Sequence, residues 1–278
     1  MSAIGEQQYR FICDLVYQHS RINLGPDKKE LVAARVAKRL RQLHIDSYEQ
    51  YCHYLKGPEG EEELINLVNV ISTNFTNFFR EIKHFEFLTE TILPQMCSPN
   101  SQAREKAFRV WSAASSSGEE PYTISIVLHH FFLSRSNWRW QVDASDISTR
   151  MLDKARQGVY EAERINTVPN PEWVPRYFQR GTGNWTGYVR VKNELRNQVQ
   201  FHHLNLLQPQ YPFAYMFQVI FCRNVMIYFD RPTQEQLINK LTNQLVPGGY
   251  LLVGHSESLT GVKHHLHPVK PSIYIKPA

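Results

Sequence analysis

Four cysteines, Cys13, Cys52, Cys97 and Cys222, are scattered through 278 residues and form no CxxC pair. That spacing argues against a zinc site and against a disulfide framework, so a reducing, cytoplasmic location is expected. No segment approaches the roughly 18 uninterrupted apolar residues of a membrane span. The first residues, MSAIGEQQYRFICDLVYQ, carry no basic-then-apolar leader pattern, so a soluble chain with no direct membrane insertion is expected. Internal repeats and low-complexity tracts are absent. The charge excess is small: 31 Lys+Arg against 26 Asp+Glu gives +5, enough to favour acidic partners but well short of a dedicated nucleic-acid binder. No nucleic-acid partner is expected, and a monomer is. His264, His265 and His267 cluster, but no neighbouring cysteine or acid completes a ligand set, so no metal is expected.

With 42% hydrophobic residues, the chain can bury a full core. Up to about Phe85 the apolar spacing is helical: Phe11, Ile12, Leu15 and Val16, then Leu31, Val36 and Leu40, then Leu64, Leu67, Val68 and Ile71. Residues 1–85 therefore read as a helical N-terminal domain, and 86–105, with PNSQ near Pro99, as a linker. From 106 to 278 strands and helices alternate, which implies a mostly parallel α/β sheet covered by helices. HPVKPSIYIK adds a final, antiparallel strand. The rhythm breaks at about 176–201, where RYFQRGTGNWTGYVRV places three glycines in seven residues before an alternating strand. This reads as a small antiparallel insertion with an exposed edge.

The most informative stretch is RVWSAASSSGEEPY, from Arg109 to Tyr122, where a short apolar strand runs into small residues and then a helix. Such strand-to-helix turns bind nucleotides in α/β sheets. Ala113, Ala114 and Ser115 to Ser117 let a ligand approach the backbone, Gly118 permits a tight turn, and Pro121 suits a helix start. Glu119 and Glu120 argue against phosphate. Two carboxylates at this helix start repel a pyrophosphate but attract an ammonium or sulfonium, which points to S-adenosylmethionine rather than NAD or ATP.

Three further clusters carry polar groups where such a ligand sits. Asp146 ends the second strand of the α/β unit, where an acid accepts hydrogen bonds from ribose hydroxyls; the plainer alternative is a helix N-cap, a role Ser148 could also fill. Asn205 and Leu206 follow the third strand, at the usual adenine position, although an asparagine there can also be a turn residue. In IFCRNVMIYF, Arg223 and Asn224 end an otherwise apolar strand and Tyr228 adds a hydroxyl nearby. In NFTNFFRE, Asn74 and Thr76 suit helix capping, Phe78 and Phe79 suit a core, and Arg80 beside two phenylalanines suits recognition of a carboxylate.

With these clusters in view, the chain resembles the chemotaxis receptor glutamate O-methyltransferases of the CheR family. NFTNFFRE, WSAASSSGEEPY, ASDIS with LDKARQGVY, RYFQRGTG, NLL, FCRNVMIYF and GHSES occur in that family's order and span nearly the whole chain. The resemblance implies an all-helical N-terminal domain followed by a class I S-adenosylmethionine-dependent, Rossmann-like methyltransferase domain with a three-stranded β-subdomain insertion. It implies a cofactor site of Asn74, Thr76, Arg80, Glu120, Asp146, Asn205, Leu206, Asn224 and Val225, with Arg80 and Tyr228 as catalytic residues near the methyl group and S-adenosylhomocysteine as product. The loop AASSSG departs from the family pattern by a small polar swap.

The same resemblance assigns two partner surfaces on methyl-accepting chemoreceptors. In DKKELVAARVAKRLRQLH, Arg35, Lys38 and Arg39 share a helix face. From the residues alone this is a solvated face; the resemblance makes it the contact for an acidic receptor coiled coil. Arg180, Gly181, Gly183, Gly187 and Arg190 match positions that bind a receptor C-terminal pentapeptide, by addition to an exposed edge. Two other functions remain open from the residues: a nucleic-acid methyltransferase, disfavoured because the fourth-strand motif is not (D/N)PPY, and a non-enzymatic scaffold, disfavoured because the candidate cofactor positions are all filled by compatible residues.

Overall fold

The computed structural model describes residues 3–72, 74–98 and 106–278, and among them the chain forms two compact units. One comprises Met1–Thr73 with Ile227–Gln234; the other comprises Asn74–Met226 with Glu235–Ala278.

The helical unit contains α1 (Glu6–Ser20), α2 (Lys29–Leu43), α3 (Tyr48–Lys56) and α4 (Gly60–Ile71). Each presents an apolar stripe at three-to-four spacing: Tyr9, Ile12 and Val16; Val32, Val36 and Leu40; Tyr48, Tyr51, Cys52 and Leu55; Leu67 and Ile71. Ser47 caps α3 by accepting from the Gln50 N–H. The later segment joins this unit through the Tyr17 hydroxyl, which donates to Asp230 at 2.6 Å, and the Asn23 N–H, which donates to the Tyr228 carbonyl at 2.8 Å.

The sheet unit opens with α5 (Lys83–Phe87), a π-helical turn (Leu88–Ile92) and α6 (Leu93–Met96). It continues through β1 (Ala107–Ala113), α7 (Glu119–Phe132), β2 (Arg139–Asp146), α8 (Thr149–Gln157), β3 (Val159–Glu161), α9 (Trp173–Tyr177), β4 (Phe178–Arg180), β5 (Tyr188–Val191), α10 (Asn193–Arg196), β6 (Val199–His203) and β7 (Phe217–Cys222). The last elements are α11 (Arg231–Gln244), whose first turn belongs to the helical unit, β8 (Leu245–Val253), β9 (His267–Lys270) and β10 (Ile273–Ile275). Seven strands form one sheet in the order β6-β2-β1-β7-β8-β10-β9. The first five run parallel and β10 enters antiparallel against β8, so the expected α/β sheet with an antiparallel final strand is present. The segment HPVKPSIYIK supplies two strands, β9 and β10, paired as a hairpin.

Three boundaries differ from expectation. The division falls at Thr73/Asn74 instead of near Phe85, because Phe78, Phe79 and Phe85 are buried in the sheet unit's own core. The expected linker 86–105 is helical through Met96, while Pro99–Gln102 lies outside the described residues. The small sheet, ordered β3-β5-β4, draws its third strand from Val159–Glu161, well before the expected start of the insertion near 176.

Candidate functional site

In the large sheet the chain moves from β1 to β2 and β6 on one side, then returns to place β7 and β8 on the other. Strand order therefore reverses between β1 and β7, and the carboxyl ends of β1, β2 and β7 border the crevice where open α/β sheets hold ligands. All nine residues assigned above to the cofactor belong to this unit, whereas Tyr228 belongs to the helical one.

Between β1 and α7 the backbone is forced into an uncommon course. Ala114, Ser116 and Gly118 take φ of 67°, 48° and 98°, left-handed at every second residue. A side chain on Gly118 would meet Ala155 Cβ at 2.8 Å and the Tyr160 hydroxyl at 2.9 Å, so both conformation and space require glycine. Helix α7 starts directly after it, at Glu119, two residues before the position expected for Pro121 at the first helical place. The loop is tied to β2: the Ser115 N–H donates to the Ser145 carbonyl at 2.8 Å, and the Ser116 N–H donates to Asp146 Oδ2 at 2.8 Å.

Asp146, the last residue of β2, is buried and also accepts from the Ser148 N–H at 2.8 Å through Oδ1. Ser148 is the N-cap of α8, accepting from the Met151 N–H at 3.2 Å, so the capping alternative for Asp146 is taken by its neighbour. Burial pushes the Asp146 carboxyl up from its ordinary value, and its backbone donors oppose that shift. A carboxylate offers about four acceptor positions, so these donors leave capacity for a ligand hydroxyl. The Leu204 N–H donates to the Asp146 carbonyl at 3.0 Å, which brings the end of β6, and with it Asn205 and Leu206, beside the end of β2. Asn205 Oδ1 accepts from the Leu207 N–H at 2.9 Å, so its side chain also orders this turn.

The end of β7 carries the densest charge network. Arg223 is only 5% exposed, and its guanidinium reaches Glu120 Oε2 at 3.0 Å, Glu81 Oε2 at 2.9 Å and the Arg80 carbonyl. Glu120 also accepts from the Ser112 hydroxyl at 2.7 Å. Burial pushes the Glu120 carboxyl up while Arg223 and Ser112 draw it back. Burial acts in the same sense on Glu81, but there Arg223, Asn224 and the His255 N–H outweigh it and hold the carboxyl below its ordinary value. Asn224 adopts φ 58°, its side chain donates to Glu81 Oε1 at 3.3 Å, and its N–H donates to Glu257 at 2.7 Å. Glu257 takes two further N–H groups, from Gly254 and Met226, each at 2.7 Å, and so fixes the turn that follows β7. Val225, next in sequence, is half-buried.

The segment Asn74–Glu81 is anchored to the same unit. The Asn74 carbonyl accepts from the Ser116 hydroxyl at 3.2 Å, the Thr76 carbonyl from Arg164 at 2.9 Å, and the Phe79 N–H donates to Thr123 Oγ1 at 3.1 Å. Phe79 and Glu81 are left-handed, at φ 55° and 56°, and turn the chain around Arg80. Arg80 donates to the Phe75 carbonyl at 2.9 Å and lies 5.7 Å from the ring of Phe75, itself 71% exposed.

Sequence reasoning left Glu81 and Glu257 without a role, although NFTNFFRE and GHSES contain them. Glu119, also without a role, is buried, accepts from the Ser117 hydroxyl at 2.7 Å and faces Arg164 at 3.7 Å. It braces its own loop. Tyr228 lies with Lys28, whose ammonium is 5.6 Å from its ring centre.

The partner residues divide as well. On α2, Arg39 grips the buried Glu63 through two bonds, at 2.9 and 2.5 Å, and Arg35 donates to the Ile71 carbonyl, while Lys38 is exposed. The basic stripe is thus partly internal bracing. On the small sheet, Arg190 sits opposite Gln179, whereas Arg180 sits opposite Val189, so the two arginines lie on opposite faces. Gly181 has no room for a side chain, since the Trp185 carbonyl oxygen would lie 2.1 Å away; Gly183 and Gly187 take φ of 59° and 88°.

Comparison with known proteins agrees with this architecture. Residues 74–275 match the CheR methyltransferase S-adenosylmethionine-binding domain, and residues 7–72 match the CheR methyltransferase all-alpha domain. A chemotaxis protein methyltransferase of Salmonella typhimurium is 42% identical over 94% of this chain and 86% of its own length. Chemotaxis protein methyltransferase 2 of Pseudomonas aeruginosa is 40% identical over 96% and 92%, and the Borreliella burgdorferi chemotaxis protein methyltransferase 39% over 94% and 91%. These matches, over residues 7–72 and 74–275 and at 42% identity across 94% of the chain, place it in the CheR methyltransferase family, with an all-helical unit before an S-adenosylmethionine-binding sheet unit.

Proposed function

We propose that this enzyme methylates glutamate side chains of chemoreceptor cytoplasmic domains, forming methyl esters, and that Asn74, Thr76, Arg80, Glu120, Asp146, Asn205, Leu206, Asn224 and Val225 line its cofactor site. The observation that carries this reading is the charge balance at the end of β7. Glu81 and Glu120 share one counter-charge, Arg223, and Asp146 lies at the end of β2, on the far side of β1. The surplus of carboxylates fits a ligand with a sulfonium and an ammonium, and the left-handed loop before α7 fits close approach of its backbone. Asp146 suits the ribose, Asn205 and Leu206 the adenine, and Glu120 the ammonium end, using the acceptor capacity that Arg223 and Ser112 leave.

When bound, S-adenosylmethionine supplies a methyl group bonded to a positively charged sulfur. A glutamate, with a pKa of about 4.3, is already ionised at neutral pH, so the chain needs no general base. Its task is to strip water from that carboxylate and hold it in line. Arg80 orients the carboxylate with its guanidinium, steadied by Phe75, and the Tyr228 hydroxyl positions an oxygen.

The receptor's acidic coiled coil is proposed to meet α2 through Lys38 and the outer parts of Arg35 and Arg39. A receptor C-terminal pentapeptide with two aromatics is proposed to add to the small sheet near Arg180, Gly181, Gly183, Gly187 and Arg190. Trp185 and Tyr188, both exposed and 5.9 Å apart, offer aromatic contact there. The enzyme acts as a cytoplasmic monomer; among the described residues no helix is long and apolar enough to cross a membrane.

Radiolabelled methyl transfer to receptor-containing membranes tests the reaction, with release of methanol by mild base expected. Label stable to base excludes a carboxyl ester. Calorimetry with a tail peptide tests the second surface, and absence of binding at high micromolar concentration refutes it.

A further inference from the structure

Glu81, His84 and His255 bring one potential ligand atom each to within 4.8 Å of one another, although the third is distant in sequence. His84 is 1% exposed. Its Nε2 lies 2.7 Å from the Ser272 hydroxyl, and that hydroxyl donates to the Pro271 carbonyl at 2.6 Å. A hydroxyl has one hydrogen, so Ser272 accepts from His84, which places the ring proton on Nε2 and leaves a bare lone pair on Nδ1. This buried Nδ1 has no hydrogen-bond partner and faces Glu81 Oε2 at 3.6 Å. A lone pair opposite a carboxylate is repulsive unless a positive centre lies between them. The His255 ring, 4.8 Å from that of His84 and solvent-facing, closes the group from outside.

We propose that Glu81, His84 and His255 bind a late first-row divalent metal ion, of the Zn(II) or Co(II) class. His84 Nδ1, a His255 ring nitrogen and a Glu81 oxygen serve as ligands, and water completes the shell. Two imidazoles and one carboxylate favour such ions over Mg²⁺ or Ca²⁺, and the nearby Arg223 guanidinium further disfavours a cation held by charge alone. Ser272 is the outer partner that fixes the tautomer. Glu81 Oε2 already accepts from Arg223 and from the His255 N–H, so the ion competes with Arg223 for this carboxylate. The bound ion draws Glu81 away from Arg223 and Asn224, and so inhibits cofactor binding; this consequence rests on the function proposed above.

Co(II) added to metal-stripped full-length protein, followed by visible absorption and displaced by Zn(II), tests the site. Saturable one-to-one binding is expected. His255→Ala, which keeps the backbone N–H to Glu81, abolishes it, and Ser272→Ala weakens it on the order of 10-fold. Joint replacement of His264, His265 and His267 by alanine leaves it intact. No Co(II) absorption, binding that survives His255→Ala, or binding lost with the other three histidines overturns the site. Calorimetry with S-adenosylhomocysteine then separates site from consequence: Zn(II) weakens binding in the parent protein but not in His255→Ala. A bound ion without that effect overturns the inhibition alone, and failure of either protein to bind S-adenosylhomocysteine without metal overturns the cofactor site instead.

Discussion

Arg223 and Arg190 occupy opposite regimes of the same chain. The first follows β7 of the large sheet, buried, with its planar fork divided between Glu81, Glu120 and a backbone carbonyl. The second stands on β5 of the small sheet, exposed to solvent. A buried charge must be matched by partners fixed in place, so the crevice of the large sheet is organised before any ligand arrives. An exposed arginine bears no such constraint, so the small sheet can change its surface residues at little cost in stability.

Removing the buried charge is the strongest way to break this contrast. Arg223→Met leaves Glu81 and Glu120 without their counter-charge, and a loss of about 3–5 kcal/mol in urea unfolding is expected. A change below about 1 kcal/mol contradicts an organising role for the network. Asp146→Ala comes next: it removes the acceptor of the Ser116 and Ser148 N–H groups, and S-adenosylhomocysteine affinity is expected to fall by about 1–3 kcal/mol in calorimetry.

Acid sharpens the same point. Burial raises the carboxyls of Glu120 and Asp146 against the opposing pull of Arg223 and of backbone donors, respectively. On acidification these groups take up protons before ordinary carboxyls do. Cofactor affinity is expected to decline already above the ordinary glutamate range, and Glu120→Gln is expected to flatten that decline. The linked effect on folding has the other sign. A carboxyl raised in the folded chain binds protons more readily there than in the unfolded chain, so its contribution to stability is greatest at low pH and is lost as pH rises through the raised value. The smallest effect is expected from Arg190→Ala: unfolding within about 0.5 kcal/mol of the parent and unchanged S-adenosylhomocysteine binding, with weaker tail-peptide binding. A loss of cofactor affinity in this variant contradicts the separation of the two regions.

Residues whose position follows from their own strand were legible in the sequence. Asp146 ends an apolar strand and Gly118 precedes a helix, and each stands where that pattern places it. Glu81 and Glu257 were not, because their partners are set by topology. Arg223 meets Glu81 across 142 positions of sequence, because the turn before α5 packs against the end of β7. The same reason hid the internal pairing of Arg39 with Glu63, which belongs to the neighbouring α4. Strand β3 escaped notice for a different reason: three residues are too few to show a period of two.

The assignment of Ile227–Gln234 to the helical unit has a consequence for the order of synthesis. A ribosome delivers α1 to α4 first, but the segment carrying Asp230 and Tyr228 emerges only after β7 has been made. The nascent helices must wait, incomplete, through most of the translation of the sheet unit. Tyr17 and Asn23 acquire their partners late, so the helical unit is finished only after most of the sheet unit has been made.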